Sequence, residues 1–342
     1  MAVVPRFVAL VAGLAITLAA CGSGPAASVP APTPSAPTLQ ELPTLTLQAT
    51  VPTSSGTLAI VATSDAIWVL AHQNPAVLRI DPLTNKVTAT VAVGDGFGNG
   101  LGLAGGRLWT FHQTTGEVVG IDPKTAKIVA KVPGGQDGDV FWVGDDSAWL
   151  LSGGSVARVD GKTAKASVLS LAEPCSVAGA AADGGFLWFA AADGGICKVD
   201  AKSGAAAGRG TGAGIGAGMQ IVAGAPWVPT GDGGLVILDP AALSVSTTVP
   251  PPPNGTFQGS LYAVGHPDEN AVVAGNADGS AGWVRYTGGA VAHVTLAGAP
   301  KMELFAGFPP DTLPGRVVEA FGSLWVANFG AGTVERYALP TP

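Results

Sequence analysis

From Leu58 to Tyr337 the chain alternates short apolar or period-two runs with clusters of Gly, Asp and Pro. No i, i+3, i+4 stripe interrupts them, so the elements read as antiparallel strands rather than helices. The first set is "LAIVAT", "AIWVLA", "AVLRID" and "KVTATVAV". The stretch "AIWVLAHQNPAVLRIDPLTNKVTATVAVG" (66–94) is matched by "RLWTFHQTTGEVVGIDPKTAKIVAKVPGG" (107–135). Weaker copies begin near Trp149, Trp188 and Trp227, and the chain closes with "LWVANFGAGTVERYAL" (324–339).

Two markers keep step through these copies. Trp68, Trp109, Trp149, Trp188 and Trp227 are spaced by 41, 40, 39 and 39 residues, and Asp81, Asp122, Asp160, Asp200 and Asp239 by 41, 38, 40 and 39. A period near forty with four strands per unit predicts an all-β fold, a β-propeller of four-stranded antiparallel blades. Asp-Pro in "DPLTNK" and "DPKTAK" predicts tight turns, with proline presetting φ and the carboxylate accepting turn amides.

Seven blades result if one copy is degenerate. That copy is read as 270–296, with Ala271-Val272-Val273 in the Leu-Trp position, followed by an insertion at 297–315. The last copy stops at Tyr337 without a fourth strand, whereas "TLTLQATVP" (44–52) precedes the first copy and resembles the fourth strand "NKVTATVAV". The N-terminal strand is therefore expected to complete the last blade and close the ring, which removes the open sheet edges.

The segment before the repeats is of another kind. Arg6 precedes an apolar run from Phe7 to Leu18 that is short for a membrane span, and the run ends in Leu18-Ala19-Ala20-Cys21-Gly22. This end resembles the lipobox of bacterial lipoprotein signal peptides, which implies cleavage before Cys21 and acylation of its thiol. The Pro-, Ala- and Ser-rich stretch to about Thr38 holds nothing large enough to bury and reads as a tether. The expected organisation is a leader at 1–20, a lipidated cysteine and tether at 21–42, and a propeller at 43–340. Its location would be outside the cytoplasm, held to a membrane by lipid.

Removing Cys21 leaves Cys175 and Cys197, for which an exported setting favours a disulfide over two buried thiols. With 17 Lys and Arg against 24 Asp and Glu, the net charge of −7 argues against a nucleic-acid partner.

The units "RIDPLTNKVTATVAVG" and "GSLWVANFGAGTVERY" resemble the YVTN-type repeats of bacterial surface propellers, and those of virginiamycin B lyase and gluconolactonase-like propellers. The lyase resemblance implies Glu and His around a metal, on loops just after the Leu-Trp positions. Three residues after each tryptophan stand Ala71, His112, Ser152, Ala191, Thr230 and Asn328, none of them Glu. No catalytic or metal-ligating set and no cofactor site are read from the chain. "GDGFGNGLG" (94–102) lacks the helix and Lys of a phosphate loop and reads as a turn between blades. The candidate ligand face comprises His72, His112, Asn328, Asn99, Gln136, Gln258 and Arg316, on loops gathered at one mouth of the ring. The expected function is a monomeric binding module for a protein, peptide or cell-wall ligand. The alternatives are a degenerate metal-dependent lyase or lactonase, and a purely structural envelope protein.

Overall fold

The computed structural model describes residues 42–96, 98, 100–134, 140–152, 155–172, 175, 177, 179–191, 194–211, 219–230, 233–251, 273–275, 279–286, 289–309 and 314–340. They form seven four-stranded antiparallel sheets and no helix, the arrangement of a seven-bladed β-propeller. Blade one is Thr57–Ala62, Ile67–Ala71, Ala76–Asp81 and Lys86–Ala92. Blades two to six follow at 102–133, 140–170, 179–211, 220–249 and 273–306. Blade seven takes Pro314–Ala320, Ser323–Asn328 and Thr333–Ala338, and its fourth strand is Leu47–Pro52 from the other end of the chain. Leu47 pairs with Tyr337 and Pro52 with Thr333, so the ring closes as the sequence predicts.

The closure extends beyond this strand. Leu42 is buried with the apolar residues between blades five and six, and Leu45 with those between blades six and seven. Between them, Thr44 forms a parallel bridge to Ala306, and the Pro43 carbonyl accepts the Ala306 N–H at 2.9 Å. Residues 42–46 are thus a strap laid across the outer strand of blade six before the closing strand begins.

Each seam between successive blades holds one apolar cluster, and each cluster contains the second-strand tryptophan of the preceding blade. In order around the ring these are Trp68, Trp109, Trp149, Trp188, Trp227, Trp283 and Trp325. All are at most 3 % exposed. Burying an indole removes roughly 200 Å² from water, which at about 25 cal/mol per Å² is a gross gain near 5 kcal/mol per seam. No sheet could stand alone, because this gain is realised only against its neighbour.

The turns follow the sequence signals. Where the first and second strands join, Gly105-Gly106, Asp145-Asp146, Gly184-Gly185, Ala223-Gly224 and Phe321-Gly322 all have positive φ. Two such residues in a row make the mirror-image turn whose twist suits a hairpin. Where the third and fourth strands join, the marker aspartate accepts backbone N–H bonds. Leu83 donates to Asp81 at 2.7 Å, Lys124 to Asp122 at 2.9 Å, Thr163 to Asp160 at 2.7 Å, Ser203 to Asp200 at 2.7 Å, and Ala242 to Asp239 at 2.7 Å. These bonds hold the carboxyls below their ordinary value: backbone amides contribute most at Asp81, Asp122, Asp160 and Asp239, and the Ser203 hydroxyl at Asp200.

Two expectations need correction. Blade six is not degenerate at 271–273: Val273–Gly275 is its first strand, and Ala281–Tyr286 is its second, carrying Trp283 at the marker position. The extra length lies ahead of this blade, and the segment read as an insertion contains ordinary blade, since Lys301–Ala306 is its fourth strand. Cys175 and Cys197 are not joined by a disulfide. Cys197 is the third residue of its strand, in register with Phe189 and Arg209, whereas Cys175 lies on the connection that enters the blade. Strands one and three of a sheet stand about 9–10 Å apart, beyond the span of a bridge, so only a connection leaning outward could have supplied the partner. Both thiols instead line one small cavity with Lys198 and Arg209.

Candidate functional site

Antiparallel alternation places the turns between second and third strands at the same end of every blade as the connections from blade to blade. This end carries the polar residues picked out in the sequence. Asn99, Gln136 and Gln258 lie outside the described residues, as does Cys21.

His72 and His112 stand at this end of blades one and two. Both are half-buried. The His72 backbone N–H donates to Gly56 O at 3.0 Å, and that of Gln113 donates to Gly96 O at 2.8 Å. A glycine from the incoming connection is packed against each histidine: a Cβ at Gly56 would come within 2.9 Å of His72 Cβ, and one at Gly96 within 2.7 Å of His112 Cε1. Their φ values, 86° and 81°, also favour glycine. His112 Nδ1 accepts the Thr115 N–H at 3.2 Å, which assigns the proton to Nε2. His72 Nδ1 is buried without a hydrogen-bond partner among the described residues.

Asn328 occupies the position of His112 in blade seven, but it is fully buried and committed within the protein. Its Oδ1 accepts from Arg285 Nη2 at 2.8 Å, and its Nδ2 donates to Thr333 Oγ1 at 3.2 Å. It belongs to the joint between blades six and seven rather than to an open mouth. Arg285, 1 % exposed, also donates to the carbonyls of Gly315 and Ala327. Arg316 follows Gly315 on the inner strand of blade seven and is half-buried.

The candidate set therefore separates into two places. His72 and His112 each lie against a glycine of the incoming connection, one residue apart in register, whereas Asn328 and Arg316 flank the anchorage of Arg285. The glycine partners were missed in the sequence although they left a signal, since each lies sixteen residues ahead of its histidine (56 to 72, 96 to 112). Arg285 was missed because its role depends on the placement of Trp283. Among the described residues no group of three or more His, Cys, Asp and Glu stands together to hold a metal ion.

No family model matches the chain, and no curated protein does. Among solved structures, hydrazine synthase of Kuenenia stuttgartiensis superposes with a TM-score of 0.65 at 14 % identity, covering 84 % of this chain and 97 % of that one. The computationally designed Ika8 protein superposes at 0.59 and 11 % identity, covering 84 % and 99 %. The likeness is one of fold. Propellers host unrelated functions, so it assigns neither activity nor ligand.

Proposed function

We propose that this chain is a membrane-tethered propeller that binds a protein, peptide or cell-envelope fragment at the mouth carrying His72 and His112. The observation that supports it most is the repeated glycine-over-histidine arrangement. It holds two imidazoles at the same end of neighbouring blades, one residue apart in register, on a ring suited to presenting them to an extended polar ligand. Crosslinking in cells followed by mass spectrometry tests this reading. A discrete partner should be recovered with the unmodified protein and lost with a His72→Ala, His112→Ala variant of unchanged melting temperature. Recovery of no partner would leave the structural envelope role. Calorimetric uptake of a divalent metal by the unmodified protein, absent in the variant, would replace the proposal with metal-dependent chemistry.

The tether is part of the proposal and is supported by the order of apolar run, small residues and Cys21. Buried acyl chains contribute about 0.8 kcal/mol per methylene, enough when several act together to hold a protein at a bilayer. Replacing Cys21→Ser should move the protein from the membrane fraction to the soluble one and remove the acyl mass. A variant that stays in the membrane would exclude the lipid anchor.

A further inference from the structure

We infer that Cys175 and Cys197 together hold one soft monovalent cation, Cu(I) or Ag(I), in the seam between blades three and four. The two thiols line a single cavity of about 10 Å³, room for roughly one particle the size of a water molecule. Both belong to the apolar cluster of that seam, with Cys197 buried and Cys175 half-buried against it. The site lies away from His72 and His112 and is independent of what the mouth binds.

The ligand set selects the class of ion. Among the described residues no third His, Cys, Asp or Glu joins the two sulfurs. Zn(II) asks for a tetrahedral set, and Ca(II) or Mg(II) for a shell of oxygens, so this pair satisfies none of them. Two thiolates suit a soft closed-shell ion that takes its ligands in line. The surroundings agree, because Val156, Leu169, Leu171 and Val199 exclude the water that a hard cation would keep. The spacing that denies these cysteines a disulfide also favours a metal. Sulfurs bonded to each other stand about 2 Å apart, whereas sulfurs on opposite sides of one ion stand about 4.5 Å apart, at roughly 2.3 Å per metal–thiolate bond.

Arg209 supplies the balancing charge. It pairs directly with Cys197, so the two side chains share a face of the sheet, and it lines the same cavity. Each thiol gives its proton to solvent as its Sγ–metal bond forms. A monovalent ion between two thiolates leaves a single net negative charge, which the guanidinium offsets. The Lys198 ammonium is engaged elsewhere: its Nζ lies over the rings of Phe186 and Trp188 and donates to Pro240 O at 2.9 Å.

Silver titration of the full-length chain carrying Cys21→Ser tests this, since Cys175 and Cys197 are then its only cysteines. With the chain freshly reduced and in chloride-free buffer, native mass spectrometry should find a single Ag(I) per molecule, and Cu(I) should compete for the same site. Cys197→Ser should abolish that uptake. Cys175→Ser, made on a connection rather than within a strand, should abolish it too and keeps the test sound if the buried variant folds poorly. Arg209→Gln should weaken the affinity about 10-fold, read by calorimetry, at an unchanged melting temperature of the metal-free chain. Absence of uptake, uptake that survives Cys175→Ser, or displacement of Ag(I) by equimolar Zn(II) would overturn the inference.

Discussion

Asp81, Asp122, Asp160, Asp200 and Asp239 perform one task five times, and acid should undo it at all five. Their carboxyls are held low by turn amides and hydroxyls, so their contribution is present above the ordinary value of 3.8 and lost as pH falls below it. Replacing all five by Asn, which retains an acceptor for the turn, should flatten the fall of the urea midpoint below about pH 4. Phe321 offers a gain: it is a bulky residue at φ 53° in a hairpin turn and is 38 % exposed. Phe321→Gly should raise stability by about 1 kcal/mol, measured as a shift of the denaturant midpoint at constant slope. The aspartates were legible because their spacing and turn partners are written in the sequence. Arg209 was not, since its meaning depends on standing opposite Cys197.

At the scale of the strand, the tryptophans carry the argument. Trp283→Ala should cost about 3–5 kcal/mol, as should Trp68→Ala, because each leaves a void in an inter-blade cluster. A loss below about 1 kcal/mol at Trp283 would contradict its place as the sixth marker. The first five blades could be read because two markers recur together. Blade six escaped because the first and second strands of a blade are both short and apolar, so "NAVVAG" fits either. The chain between Val249 and Val273 also breaks the period. The disulfide failed for a different reason: a pair of cysteines permits a bridge, but only strand order determines how far apart they stand.

For the whole ring, closure was the most legible feature, since a strand lacking at one end and surplus at the other admits a simple solution. Ala338 N–H already donates to Thr46 O at 2.9 Å, so the two ends of the seventh sheet meet. A circular permutant with a short hairpin linking Ala338 to Leu47, opened at the exposed Leu83–Thr84 turn, should form the same ring with a melting temperature lowered by the loss of the strap residues Leu42 and Leu45. Deleting residues 42–52 should instead yield a species that self-associates in size-exclusion chromatography, because the Thr333–Ala338 edge is left unpaired. No ligand was legible at this scale, because a closed ring is the same platform whatever it carries.

The strap has a mechanical consequence. A pull arriving from the N-terminal side reaches Leu42, Thr44 and Leu45 before it reaches the Leu47–Pro52 strand, so the load is taken up by buried side chains of blades five to seven before the closing hydrogen bonds are strained. The ring would then resist such a pull in proportion to how well those few residues are seated, and an extending force would release them in order, latch before zipper.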